Sequence, residues 1–73
     1  MDITTHLARI TTPIAYVKDS GRRRYIPVGP CLVESDGGQA IDIIWGTRGQ
    51  SSIELPREEI KVAQDLGHLV LLD

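Results

Sequence analysis

The sequence predicts a small, mostly antiparallel β barrel of about five strands, with one short helix before the last strand. One observation is a series of glycine-containing breaks between runs in which apolar and polar residues alternate. Because glycine adopts positive φ without a steric clash, such breaks are typical of hairpin turns. The other observation is a change to helical spacing after residue 55. The breaks are Asp19-Ser20-Gly21, Asp36-Gly37-Gly38 and Thr47-Arg48-Gly49.

The length of 73 residues predicts a single domain over residues 1–73. So small a domain buries only about 60% of the surface that its unfolded chain exposes, and a disulfide, a metal or a second chain often stabilises it. Cys31 is the only cysteine, which excludes a disulfide within the chain, and His6 and His68 show no metal-ligand spacing. We therefore expect no metal, no cofactor, and self-association as a homo-oligomer, most simply a homodimer.

The sequence shows no pattern of a targeting or membrane-spanning segment. Residues 1–6 lack the basic and apolar regions of a secretory signal, and the longest unbroken apolar run, residues 69–72, is too short to span a membrane. A lone cysteine is typical of a reducing compartment. We expect a cytoplasmic protein without a membrane partner.

The N-terminal part is predicted to hold an extended segment followed by three strands. Residues 1–11 fit helical spacing through Ile3, Leu7 and Ile10, but their threonines favour an extended chain, which we assign as an N-terminal arm. Pro27, Gly29 and Pro30 mark a corner after residues 22–26, because proline cannot donate to a strand ladder. The predicted strands cover residues 13–18, 22–26 and 31–34.

Residues 39–45 form the strongest predicted strand. Ile41, Ile43 and Trp45 share one face, and Ile44 makes the other face apolar near the end. That pattern predicts a central strand that is buried on both faces at its end. The next strand, residues 51–55, is expected to pair back onto it.

The change of period predicts a helix over residues 56–67. Pro56 suits the first helical position, two glutamates in the first turn favour the positive helix N-terminus, and Gly67 suits the C-cap. Residues 68–72 form the last predicted strand.

This order of strand meander, short helix and last strand resembles the SH3-like small barrels over about residues 13–72. The resemblance is one of topology, because the aromatic residues of a proline-peptide groove are missing, and a fold alone does not assign a ligand.

The net charge is −2, which argues against bulk, nonspecific binding of nucleic acid. The charges are unevenly spread along the chain. Residues 1–30 hold five cationic side chains and two carboxylates, whereas residues 31–73 hold three cationic side chains and eight carboxylates. This asymmetry can create one basic edge, or let two copies meet with the basic edge of one against the acidic face of the other.

The run Arg22-Arg23-Arg24 is the sharpest candidate site for an acidic partner or a phosphate. Guanidinium groups bind carboxylates and phosphates with bidentate geometry, and a neighbouring exposed tyrosine offers a stacking surface. The alternative is a solvated turn, because alternate strand residues point to opposite faces and Arg23 then diverges from its two neighbours. The candidate partner- or phosphate-binding residues are Lys18, Arg22, Arg23, Arg24, Tyr25 and Arg48.

Three further residues have both a structural and a functional interpretation. Tyr25 either fills the thin core or stacks on a ligand, and Trp45 either fills the core or anchors a partner at an exposed rim beside Gly46. Cys31 is expected to be a buried small hydrophobe, because nothing in the sequence places a base beside it.

These observations predict a noncatalytic binding module for protein–protein interaction or regulation, acting as a small homo-oligomer. The alternative is a nucleic-acid-binding small barrel that uses the hairpin at residues 22–24. We expect no catalytic residues and no small-molecule substrate, because paired carboxylates, a nucleophile motif and a glycine-rich phosphate loop are missing from the sequence. The protein is therefore expected not to be an enzyme.

Overall fold

A computed structural model describes residues 3–17 and 21–73 of the chain. Within these residues the chain folds into seven strands and one short helix, which precedes the last strand. The elements are β1 (Thr4–Ile10), β2 (Ile14–Val17), β3 (Arg23–Ile26), β4 (Gly29–Ser35), β5 (Ala40–Trp45), β6 (Ser51–Pro56), α1 (Arg57–Asp65) and β7 (Leu69–Leu71).

The strands form two antiparallel sheets. A five-stranded sheet has the order β6-β5-β4-β1-β7, and β2 and β3 form a separate two-stranded hairpin. The prediction of a mostly β, antiparallel fold with one short helix before the last strand is confirmed. The described residues hold seven strands, more than the predicted number of about five. Each of the six segments assigned as strands overlaps with one, and β1 lies in the segment expected to be an arm.

The segment expected to be an N-terminal arm contains strand β1, which lies inside the five-stranded sheet. It pairs with β4 along its whole length and with β7 at its end. Alternation explains its orientation, because Ala8 and Ile10 point to the buried inner face while Leu7 and Arg9 point to the opposite, outer face. The segment is thus extended as expected, but it is paired on both sides.

The core lies between the inner face of the five-stranded sheet, the β2–β3 hairpin and α1. The hairpin contributes Tyr16, which is buried and whose ring meets that of Trp45 edge-on at a centroid distance of 6.1 Å. The helix contributes Ile60 and Ala63. Side chains from strands of both sheets thus form one hydrophobic cluster. Its largest fully buried members are Ile10, Ile26, Ile43 and Leu69.

The helix begins and ends as the sequence indicates. Pro56 occupies the N-cap position, one residue before the first helical residue, and Glu58 and Glu59 lie in the first turn. Gly67 follows the helix with φ +77°, a conformation that favours glycine. The prediction of a helix that starts at this proline and stops before this glycine is confirmed to within two residues.

The break at Asp36-Gly37-Gly38 connects β4 and β5 through four residues, so it is longer than the two-residue hairpin turn that its glycines suggest. Asp36 Oδ1 accepts a hydrogen bond from the Gly38 N–H at 2.9 Å, which forms a local side-chain turn. The turn between β2 and β3 was predicted at Asp19-Ser20-Gly21, of which residues 19 and 20 lie outside the described residues.

Candidate functional site

The outer face of the five-stranded sheet carries an apolar row. In the strand register Leu7 lies opposite Leu32, and Leu32 lies opposite Ile44. Leu72 continues the row beyond β7, because its N–H donates to the Leu7 carbonyl at 2.8 Å. Directly opposed side chains lie about 5 Å apart, close enough to form a continuous surface. Leu7 is 57% exposed and Leu72 61%, whereas Leu32 and Ile44 are half-buried.

An acidic row runs beside the apolar row on the same face. Glu34 lies opposite Asp42, and Asp42 lies opposite Glu54. Like charges at directly opposed positions destabilise a sheet, so a packing argument alone does not explain this arrangement. The ion pair found among the described residues joins His6 to Asp73, so no described lysine or arginine forms an ion pair with the acidic row. Arg23 lines a cavity of about 360 Å³ together with Glu54, at the end of that row.

The other side of the apolar row is flanked by a row with a positive charge. Arg9 lies opposite Pro30 on one side and Val70 on the other, and its side chain is exposed. The outer face therefore has three parallel bands, which are acidic, apolar and basic in turn, and the charge of the basic band is that of Arg9 between Pro30 and Val70.

The β2–β3 hairpin divides the predicted arginine cluster. Arg24 lies opposite Tyr16, so these two side chains share one face of the hairpin. Tyr25 lies opposite Ala15 and points to the other face. Arg23 shares the face of Tyr25, and Tyr25 is 56% exposed. The structure thus brings together one arginine and one exposed tyrosine.

The remaining predicted binding residues lie apart from this pair or outside the described residues. Arg22 precedes β3 and is exposed. Arg48 lies in the turn between β5 and β6, where its backbone N–H donates to Gln50 Oε1 at 2.9 Å. Lys18 lies outside the described residues.

Trp45 is half-buried at the end of β5. One edge of its ring system packs against Tyr16, and it also lines a cavity of about 470 Å³ together with Pro27, Val28 and Thr47. The side chain therefore belongs partly to the core and partly to an open rim.

Cys31 is buried, as predicted. Its register neighbours across the two adjacent strands are Ala8 and Trp45, and burial raises the pKa of the thiol. The neutral thiol is therefore favoured, which is the opposite of what a nucleophilic cysteine requires. In the described part of the chain, no group of three or more histidine, cysteine or acidic side chains is arranged to hold a metal ion.

Sequence reasoning missed the outer face as a candidate site. It interpreted Ile44 as a sign that β5 is a central strand buried on both faces at its end. The central position is confirmed, because β5 lies between β6 and β4, but Ile44 on the outer face is only half-buried. The apolar residue at position 44 was nevertheless a feature of the sequence that indicated an apolar outer face. Its partners in the row become neighbours only through the pairing of distant strands.

No helix in residues 3–17 and 21–73 has the length and apolar character to cross a membrane. No family model, curated protein or solved structure matches this chain.

Proposed function

We propose that this chain is a noncatalytic protein-interaction module that forms a homodimer through the outer face of its five-stranded sheet. The observation that carries the proposal is the apolar row of Leu72, Leu7, Leu32 and Ile44, which crosses four neighbouring strands in register. A contiguous apolar patch rimmed by charged residues marks an interaction surface. The hydrogen bonds between the strands fix the backbone that carries these side chains. The backbone therefore loses little conformational freedom on binding.

The order of the three bands supports a second copy as the partner. A two-fold axis along the apolar row places that row against itself and exchanges the two flanking bands. Arg9 of one copy then faces the acidic row of the other, near Glu34, and the same contact forms twice. An isologous contact of this kind buries the apolar row and brings Arg9 of each copy beside carboxylates that form no ion pair with a described lysine or arginine of their own chain.

We propose further that the two sheets are the halves of an SH3-like small barrel. Support comes from the chain order, in which a meander of strands is followed by a short helix and a last strand that returns to β1. The contact between Tyr16 and Trp45 joins the two halves. A cytoplasmic location agrees with the single buried thiol.

Sedimentation equilibrium of the wild-type chain and of two variants tests the dimer. Leu7→Glu places a charge in the middle of the apolar row, whereas Val28→Glu places the same charge at a site of similar exposure, 52%, away from the row. We expect the wild type and Val28→Glu to be dimers at micromolar concentration and Leu7→Glu to be a monomer with an unchanged circular dichroism spectrum. A monomeric wild type, or equal dissociation of both variants, would contradict the proposal.

A second candidate function, binding of single-stranded nucleic acid, is favoured by the position of Tyr25. The ring is exposed on the same hairpin face as Arg23, so a base can stack on it while the guanidinium contacts a phosphate. Amide NMR spectra recorded during titration with short single-stranded and duplex DNA test this function. We expect shifts confined to residues 21–26 that weaken as salt is added. Unchanged spectra would exclude this function, and binding that survives replacement of all three arginines at 22–24 by alanine would exclude the hairpin as its site.

A further inference from the structure

A second apolar surface lies between α1 and β2, and we call it the α1–β2 groove. It has a volume of about 540 Å³, within the range of about 300–1,000 Å³ typical of ligand sites. Apolar side chains form both walls, and two glutamates and a histidine complete the lining. The residues are Pro13, Ile14 and Ala15 on one side, Val62, Ala63 and Leu66 on the other, with Glu58, Glu59 and His68.

The groove exists because α1 has more apolar residues than its contact with the core uses. Ile60 and Ala63 are buried against the core. Val62 and Leu66 are four residues apart, so they lie one above the other on a neighbouring side of the helix. They are 55% and 63% exposed, which leaves a pair of large aliphatic side chains facing the wall formed by β2.

The charge around the groove is negative. Glu58 lies four residues before Val62 on the same line of the helix, and Glu59 lies one turn before Ala63. The two cationic residues of α1 do not line the groove. Lys61 lies three residues after Glu58, and the Arg57 guanidinium donates to the Gly38 carbonyl and to Ser35 Oγ. Arg23 lines a neighbouring cavity that also includes Glu59.

We propose that the α1–β2 groove binds a short segment of another protein in which aliphatic side chains are flanked by lysine or arginine. The apolar walls fit the aliphatic side chains, and the two glutamates select cationic neighbours over acidic ones. The groove is formed on the helix side of the molecule, whereas the proposed dimer contact uses the outer sheet face. The binding of this segment is therefore independent of dimer formation, and a dimer would carry two such grooves.

The test uses the full chain, labelled for amide NMR, in its wild-type and Leu7→Glu forms. The probes are two synthetic peptides with the same pair of leucines one helical turn apart, flanked by lysines in one peptide and by glutamates in the other. We expect the lysine peptide to shift the amides of Ala15, Val62 and Leu66 in both forms of the protein. We expect the glutamate peptide to leave them unchanged.

Two charge-reversal variants localise the binding. Glu59→Lys changes a carboxylate in the groove lining, and Asp65→Lys makes the same change on α1 outside that lining. We expect about tenfold weaker binding of the lysine peptide by the first variant, because one attraction becomes a repulsion, and little change with the second. Val62→Ser, which removes part of the apolar wall and keeps the charges, is expected to weaken binding of the same peptide.

Three results would overturn the proposal. The first is an absence of groove shifts with the lysine peptide, and the second is equal shifts with both peptides. The third is a set of groove shifts that depend on protein concentration without any peptide, because these would assign the groove to a second copy of the chain. None of these results bears on the outer sheet face, whose test is the oligomeric state of the Leu7→Glu variant.

Discussion

At the scale of single residues, Asp73 connects the residues that follow β7 to β1. Its carboxylate accepts hydrogen bonds from the Leu7 backbone N–H and from the His6 ring, each at 3.0 Å. The bond from Leu7 and the bond from His6 lower the pKa of the carboxyl below its usual 3.8. Because Leu7 and the neighbouring Leu72 belong to the apolar row, this contact helps to position the proposed interface.

The lowered pKa of Asp73 predicts a pH-dependent effect of Asp73→Asn. The ionised carboxylate is bonded in the folded state, so its contribution is present above the unfolded pKa and is lost as the pH falls through the lowered folded pKa. We expect the variant to melt at a slightly lower temperature than the wild type at neutral pH. The difference should shrink as the pH falls below the ordinary pKa of 3.8, and it should vanish only below the lowered folded pKa, where the folded wild-type carboxyl is also protonated.

Thermal melts followed by circular dichroism over a pH series measure this difference. Asp65→Asn, which alters an exposed carboxylate on α1, serves as the control and should show no such pH dependence. A difference between Asp73→Asn and the wild type that stays constant down to the lowest pH would show that the ionised carboxylate is not responsible.

Burial of Cys31 predicts slow chemical modification. The thiol is buried and its pKa is raised, so little thiolate is present at neutral pH and a reagent reaches it only when the structure opens. We expect alkylation by iodoacetamide to be much slower in native buffer than in urea. Equal rates in the two solvents would show that the thiol is accessible in the folded chain.

At the scale of elements, Arg57 connects the start of α1 to the β4–β5 turn. Its guanidinium donates to the Gly38 carbonyl and to Ser35 Oγ, and its backbone N–H donates to the Gln39 carbonyl at 2.7 Å. Arg57→Ala removes the side-chain bonds, which we expect to lower the free energy of unfolding by about 1 kcal/mol. Urea unfolding measures the change, with Arg48→Ala as the matched arginine control. Equal stability of the two variants would argue against this connection.

Much of the element order could be predicted from the sequence, because it depends on local chemistry. The proline and glycine that bound α1, and the two glutamates of its first turn, act within a few residues of one another. Strand β1 could not be placed in the same way. Its apolar residues fit two periods, and pairing with the distant strands β4 and β7 decides between them.

The candidate sites also differ in whether neighbouring residues or the pairing of distant strands determine them. The basic run at 22–24 is visible in the sequence, and alternation in β3 separates Arg23 from Arg24 as anticipated. The apolar row was not visible, since residues 7, 32, 44 and 72 meet only through the register of four strands. The exposure of Tyr25 also depends on how the hairpin packs, which the sequence left open.

At the scale of the whole molecule, the three bands of the outer face predict that Arg9 contributes to dimer affinity. In the proposed dimer Arg9 of one copy faces the acidic row of the other, so Arg9→Glu replaces two attractions with two repulsions. We expect sedimentation equilibrium to show several-fold weaker dimerisation, by an amount that decreases as salt is added. Arg48→Glu, a charge reversal in the β5–β6 turn, should have little effect. A dimer equally sensitive to both changes would contradict the proposed orientation.

In the proposed dimer, two copies meet through the apolar row. Isotope-filtered NMR on a mixture of labelled and unlabelled chains tests this contact. The experiment detects contacts between protons of different copies. We expect intermolecular contacts among the methyl groups of Leu7, Leu32 and Ile44. Intermolecular contacts confined to Val62 and Leu66 on α1, or none at a concentration where the wild type sediments as a dimer, would contradict it.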